Sequence, residues 1–208
     1  YLACISYYIT LYFKEEDFIL ISIIFLLFIM TVYVTKFPKY KIEEITFVFF
    51  SLFYVGSMLS FIYKLRILEN GAYLVWLIFI SAWGTDTSAY CVGMLFGKRK
   101  FLPNLSPKKS LEGAIGGVAG AAIIGFIYGL IFTEKLSIIS NPILILPIIC
   151  AIASIISQLG DFAASAIKRN HNIKDYGKLI PGHGGIIDRF DSILFVAPVV
   201  YYLIQVLK

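Results

Sequence analysis

The 208 residues hold 18 Lys and Arg against 13 Asp and Glu, a net charge of +5, with 59% hydrophobic and only 15% charged residues. Soluble domains carry about 25% charge and nearer half apolar residues, so one water-soluble core is excluded and the chain falls among polytopic membrane proteins. The three cysteines, Cys4, Cys91 and Cys150, lie in apolar stretches without metal-ligand spacing and read as small hydrophobes.

Seven apolar runs approach or reach the ~20 residues that a spanning helix needs. They cover 1–13, 18–35, 45–63, 72–96, 114–133, 142–159 and 192–207. The expected fold is therefore all-α, a polytopic integral membrane helical bundle of about seven transmembrane segments. N-terminal helices over 1–71 would precede a catalytic transmembrane domain over 72–208. The first run starts at Tyr1 without a basic leader region, so it is expected to belong to a longer chain rather than to a signal peptide. The loops after the second, fourth and sixth runs carry 13 of the 18 Lys and Arg; the others carry five. The positive-inside rule puts the richer loops in the cytoplasm.

The fourth run contains Asp86, whose ionisable group costs about 2.5–3.5 kcal/mol to insert mid-membrane. Asp86, Tyr90, Gly93 and Gly97 share one helical face, which predicts a polar cavity; a helix-end carboxylate is the alternative. Next comes Ser106-Pro107-Lys108-Lys109-Ser110-Leu111-Glu112-Gly113. Pro107 disfavours helix at Ser106, and two ammoniums with flanking hydroxyls before a helix start suit a polyphosphate. An anchoring basic loop is the plainer alternative. In the fifth run Gly116, Gly120, Gly125 and Gly129 form a smooth face for close helix packing.

The sixth run leads into Gly160-Asp161, and a helix continuing from there projects Asp161, Ser165, Lys168 and Arg169 to one side. Lys174-Asp175 and a Pro181-Gly182-His183-Gly184-Gly185 turn follow, where bare backbone can approach an anion. Asp188 and Asp191 come next, at i and i+3. Asp161, Asp175, Asp188 and Asp191 supply hard oxygens enough for two Mg²⁺ ions, which keep waters and bind substrate phosphates. His183 could be a proton donor, a phosphate contact, a metal ligand or a loop-fixing group. His171 reads as structural. No Walker A, zincin or serine-hydrolase pattern is present.

The run Ser165, Lys168-Arg169, Lys174-Asp175, Gly177, Pro181, His183-Gly184-Gly185, Asp188-Arg189 and Asp191 resembles the signature of the phosphatidate cytidylyltransferases (CDP-diacylglycerol synthases). Asp86 with Ala89-Tyr90 and Gly93, Phe96-Gly97, and Ser106-Pro107-Lys108-Lys109 with Glu112-Gly113 resemble the family too; Ser110 stands where Thr is more usual. The resemblance implies that CTP and phosphatidic acid give CDP-diacylglycerol and pyrophosphate with Mg²⁺, at two metal sites, with a monovalent ion such as K⁺ left open. It implies a metal pair on Asp161 and Asp188; Asp191 is assigned to metal, and Asp175, Lys168, Arg169 and His183 to catalysis. Substrate contacts are assigned to Asp86, Ser106, Lys108, Lys109, Ser110, Glu112, Ser165, Lys174, Gly184, Gly185 and Arg189. The expected partners are CTP, phosphatidic acid and the bilayer, with a homodimer left open and no nucleic acid. The motif loops would face the cytoplasm, at the plasma membrane if the source is bacterial. A CTP-dependent polyprenol kinase and an archaeal ether-lipid cytidylyltransferase are the nearer alternatives. A transporter is the more distant one, since it would want polar groups through the bilayer's depth.

Overall fold

The computed structural model describes residues 1–13, 18–103, 105–179 and 184–207. Five helices there are long and apolar enough to cross a membrane: Phe18–Thr35, Ile42–Arg66, Leu111–Leu136, Pro142–Asn170 and Ile187–Leu207. The all-α membrane bundle is borne out, and among the described residues one two-stranded sheet is added to it. Two of the seven expected spans take other forms. The first is the 11-residue helix α1 (Leu2–Tyr12). The fourth is helical in pieces: α5 (Gly71–Leu74), α6 (Trp76–Phe79), a π-helical stretch Ile80–Gly84, and α7 (Thr85–Phe96). The linking residues Val75, Ile80 and Thr85 all keep right-handed helical backbone.

The chain forms two compact units, Tyr1–Ser60 and Phe61–Lys208. In the first, α1, α2 (Phe18–Thr35) and α3 (Ile42–Ser51) pack through aromatic side chains, and α3 continues through a π-helical stretch, Leu52–Ser57, into α4 (Met58–Arg66). The Phe18 ring meets Tyr7 edge-on at 4.7 Å and Phe53 at 5.0 Å. The Tyr7 and Ser60 hydroxyls share a buried hydrogen bond of 2.9 Å, and Tyr8 donates to the Gly56 carbonyl at 3.0 Å. Outward side chains such as Ile23, Leu27 and Phe28 stay exposed, as a lipid-facing surface requires.

The second unit centres on α8 (Leu111–Phe132), which packs against α7 and against α9 (Pro142–Asn170), while α10 (Ile187–Leu207) packs on α9. Leu77, Ile78, Ile149, Ala153, Val196 and Val200 lie in its fully buried core. Glycine makes the close approach. A Cβ at Gly113 would lie 2.8 Å from the Ala89 carbonyl oxygen of α7, and one at Gly125 would lie 2.7 Å from Cys150 Sγ of α9. The predicted packing face is thus two faces, one for each neighbour. Inside this core Thr85 of α7 donates to Ser154 Oγ of α9 at 2.7 Å, while the buried hydroxyls of Ser81 and Ser157 have no hydrogen-bond partner among the described residues. Of the cysteines, Cys150 is buried as expected, but Cys91 is exposed on α7.

At 29 residues, α9 is longer than the span expected at 142–159. Its ~43 Å exceeds a ~30 Å hydrocarbon core, so its last turns carry Asp161, Ser165, Lys168 and Arg169 past the apolar stretch. At the start of α8 the expected loop is instead a hairpin: β1 (Lys100–Leu102) pairs antiparallel with β2 (Ser106–Ser110). Pro107 excludes helix there, and the short hairpin tolerates its missing N–H. Ser110 ends the strand and caps α8, its Oγ accepting from Gly113 N at 3.1 Å.

Filling the α8–α9 contact should destabilise the protein without touching the polar end of α9. Gly125→Val should cost about 1–3 kcal/mol in reversible denaturant unfolding in detergent micelles, and Cys150→Ala in the same chain should recover part of the loss.

Candidate active site

Four helices (α7, α8 through Gly113 and Ala114, α9 and α10) and the hairpin converge on one cavity of about 500 Å³. It is lined by Asp86 and Tyr90 from α7, by Lys108, Lys109 and Ser110 from β2, by Asp161 from α9, and by Asp188, Arg189 and Asp191 from α10. Four carboxylates and three basic side chains, scattered over 106 positions of sequence from 86 to 191, therefore share one space. Asp86, Tyr90 and Gly93 face it together, as their spacing predicts, whereas Gly97 turns to extended backbone and ends α7.

Of the three carboxylates expected to hold metal, the two assigned to the metal pair, Asp161 and Asp188, are each paired with a lysine. Asp161 takes a salt bridge from Lys109, whose Nζ also lies 4.9 Å from the Phe162 ring centre. Asp188, with 3% of its side chain exposed, takes Lys168 Nζ at 2.9 Å on Oδ1. Its Oδ2 accepts from the backbone N–H groups of Tyr176 at 2.8 Å and Gly185 at 2.9 Å. Gly184 adopts φ +86°, a left-handed turn in which a Cβ would sit 3.0 Å from Asp188 Oδ2. Glycine is what lets the backbone close on the carboxylate. Asp191, at the limit of burial, accepts from Ser192 N at 2.8 Å.

The loop between α9 and α10 is pinned to α9 by Tyr176, which donates to the Ala164 carbonyl at 3.2 Å. Burial, and then the carboxylates of Asp191 and Asp188, push that phenol up, so it remains a donor.

Other predicted residues stand at the edge. Lys168 reaches the cavity only through Asp188. Arg169, Lys174 and Asp175 are exposed, and Ser165 is half-buried on α9. Ser106 opens β2. Ser110, besides lining the cavity, holds the α8 cap. Glu112 Oε2 accepts from the backbone N–H groups of both Lys98 and Arg99 at 3.1 Å, and Leu111 N donates to Arg99 O at 2.9 Å. These bonds tie the hairpin base to the start of α8, so Glu112 positions the lysines of β2. His183 lies outside the described residues, as do Pro181 and Gly182.

Five cavity-lining residues, Met94, Phe101, Ala114, Gln158 and Phe162, escaped the sequence expectation. Gln158 donates from Nε2 to Ala114 O at 3.1 Å and lines the wall. A polar residue three positions before Asp161 in an apolar run was the available signal. Phe101 and Phe162, whose ring centres are 5.5 Å apart, carried none.

Among the described residues, no three His, Cys, Asp or Glu side chains converge as a ready-made metal cluster. The donor set nevertheless fits Mg²⁺. Its members are hard oxygens on one cavity, two of them already holding cationic groups, and Mg²⁺ needs only one or two protein carboxylates when phosphates and waters complete its shell.

The sequence model of the cytidylyltransferase family matches residues 1–207. The chain belongs to the cytidylyltransferase family. It is 36% identical over 185 residues to a phosphatidate cytidylyltransferase of Bacillus subtilis, covering 88% of this chain and 67% of that one. It is 38% identical over 199 residues to the enzyme of that name from Thermotoga maritima, covering 93% and 72%. A third, from Staphylococcus saprophyticus, is 36% identical over 190 residues, covering 91% and 70%. Membership agrees with the resemblance drawn from the 165–191 motif.

For this cytidylyltransferase, Glu112→Ala should free the hairpin base. Amide hydrogen exchange at Lys98 and Arg99 should quicken by about tenfold or more as local opening becomes easier, and unchanged protection of both amides would remove Glu112 from its positioning role.

Proposed function

We propose that this protein transfers CMP from CTP to phosphatidic acid, giving CDP-diacylglycerol and pyrophosphate at the bilayer surface. The observation that carries this is the cavity itself: four aspartates and three basic side chains meet at the end of apolar helices, in a chain of the cytidylyltransferase family.

The chemistry asks little proton transfer of the protein. A phosphate monoester has its second pKa near 6 and is largely a dianion at neutral pH, so its oxygen can attack the α-phosphorus of CTP without a strong base. The new P–O bond forms as the bond to the β-phosphate breaks, and the electron pair leaves on pyrophosphate. What the site must overcome is repulsion between two polyanions. Lys108, Lys109 and Arg189 line the cavity and would set ammonium and guanidinium charge against the phosphates, with Lys168 entering beside Asp188. Arg169 and Lys174, exposed at its margin, would draw anions toward it. Asp161 and Asp188, with Asp191, would hold Mg²⁺, which supplies Lewis-acid neutralisation of phosphate charge when bound. Asp175, packed 3.3 Å from where a Cβ at Gly184 would stand, would support the Gly184-Gly185 turn. The exposed apolar flank of α7, Tyr90, Met94 and Leu95, offers the acyl chains a way in from the side. The charge bias of the loops supports a cytoplasmic opening, where CTP is available.

The test is purified protein with labelled CTP, Mg²⁺ and phosphatidic acid in mixed micelles. Label in a lipid product is expected; label in CDP beside a phosphorylated lipid would instead indicate a kinase. Asp188→Asn and Asp161→Asn should each lower turnover by about 10²-fold or more, on the scale of losing a group that stabilises transition-state charge, while circular dichroism stays helical. Near-normal CDP-lipid synthesis by both variants would sink the assignment of these carboxylates.

A further inference from the structure

Lys109 and Lys168 belong to different elements, yet they do the same thing. Lys109 crosses from the hairpin to Asp161, 52 residues along the chain, and Lys168 crosses from α9 to Asp188 on α10. Each ammonium also has an aromatic face beside it: Phe162 at 4.9 Å from Lys109, and Tyr176 at 5.3 Å from Lys168. A carboxylate holding an ammonium in this way has its cation position filled.

Resting on the nucleotide-transfer reading above, we infer that Lys109 and Lys168 are stand-in cations. Each neutralises a metal-binding carboxylate until a divalent ion and a polyphosphate arrive together, and then passes from carboxylate to phosphate. The exchange conserves charge throughout. Four carboxylates around one cavity would repel one another if bare, and a dication brought to Asp161 would repel the ammonium already there. The ammonium can leave readily only if another anion takes it, and phosphate is that anion. Lysine suits the role because its charge rides a flexible four-carbon stem, while a guanidinium would be held by its planar fork. The neighbouring ring gives the departing ammonium a second favourable surface, and for Lys109 that ring, Phe162, itself lines the cavity. Metal alone and nucleotide alone should therefore each bind weakly, and each should strengthen the other, as linkage requires.

The distinguishing consequence is opposite in sign to that of a plain phosphate contact. Removing the ammonium of Lys109 should tighten divalent-ion binding when no nucleotide is present. The experiment titrates Mn²⁺ into the full chain in nanodiscs without nucleotide, reading free Mn²⁺ by electron paramagnetic resonance. Lys109→Gln should bind Mn²⁺ about five- to tenfold more tightly than the unaltered protein, within the usual range of coupling between sites. Lys109→Arg should show no such gain, and adding Asp161→Asn to Lys109→Gln should abolish it. Lys168→Gln makes the same test at Asp188 should Lys109→Gln fail to fold. Mn²⁺ affinity unchanged or weakened in folded Lys109→Gln and Lys168→Gln overturns the inference. If the gain is present but the unaltered protein makes no CDP-lipid, the transfer reading fails and the cation exchange stands.

Discussion

Everything at the polar end of this bundle depends on keeping carboxylates compensated where water is scarce. Asp188 shows how completely this is done. Its side chain is almost wholly buried, and its two oxygens are met by one ammonium and two backbone N–H groups. Those donors come from α9, from the loop after it and from the glycine turn before α10. An unpaired carboxylate there would face a desolvation cost that the packing could not offset. The same bonds that satisfy the charge therefore fold the loop. The left-handed Gly184, the approach of Gly185 and the pinning of Tyr176 to α9 follow from one buried anion needing donors on every side.

The geometry that delivers Lys109 to Asp161 begins far from either residue. Helices in a bilayer gain no hydrophobic advantage from meeting, so they rely on close backbone contact. The glycines of α8 provide it toward α7 near Gly113 and toward α9 near Gly125. Once α8 lies in that groove, the Ser110 cap and the bonds of Glu112 fix the direction in which β2 enters. The lysines of β2 then stand over the last turns of α9. Because α9 outruns the hydrocarbon, those turns can be charged, while the turns before them remain apolar.

Much of this was legible in the sequence, and for physical reasons. Hydropathy marks spanning helices because the bilayer imposes their length, and Asp86 stood out because a charge inside an apolar run is costly. The 165–191 motif pointed to the family because its residue types at that spacing admit few other uses together. The parts that escaped are those set by partners distant in sequence. Glu112 has the composition of a substrate contact, and only the fold shows its carboxylate turned to the Lys98 and Arg99 amides. The hairpin at 100–110 is too short and too polar to carry a strand period. The π-helical turns at Leu52–Ser57 and Ile80–Gly84 interrupt runs whose apolar pattern is that of ordinary helix.

The lysine pairs reconcile two demands that would otherwise conflict. A site for two polyanions must be rich in positive charge, yet a site for dications must be rich in carboxylate. In a cavity walled by apolar helices, either set alone would carry an uncompensated desolvation cost. Interleaving them lets acids and bases neutralise one another through Lys109–Asp161 and Lys168–Asp188. On the cation-exchange inference an ion at Asp161 or Asp188 would displace a lysine, so neither ion nor nucleotide would realise its full attraction alone. Part of the intrinsic attraction is thereby withheld until all reactants are present, which is when a transferase needs it and when hydrolysis of a solitary nucleotide would be wasteful.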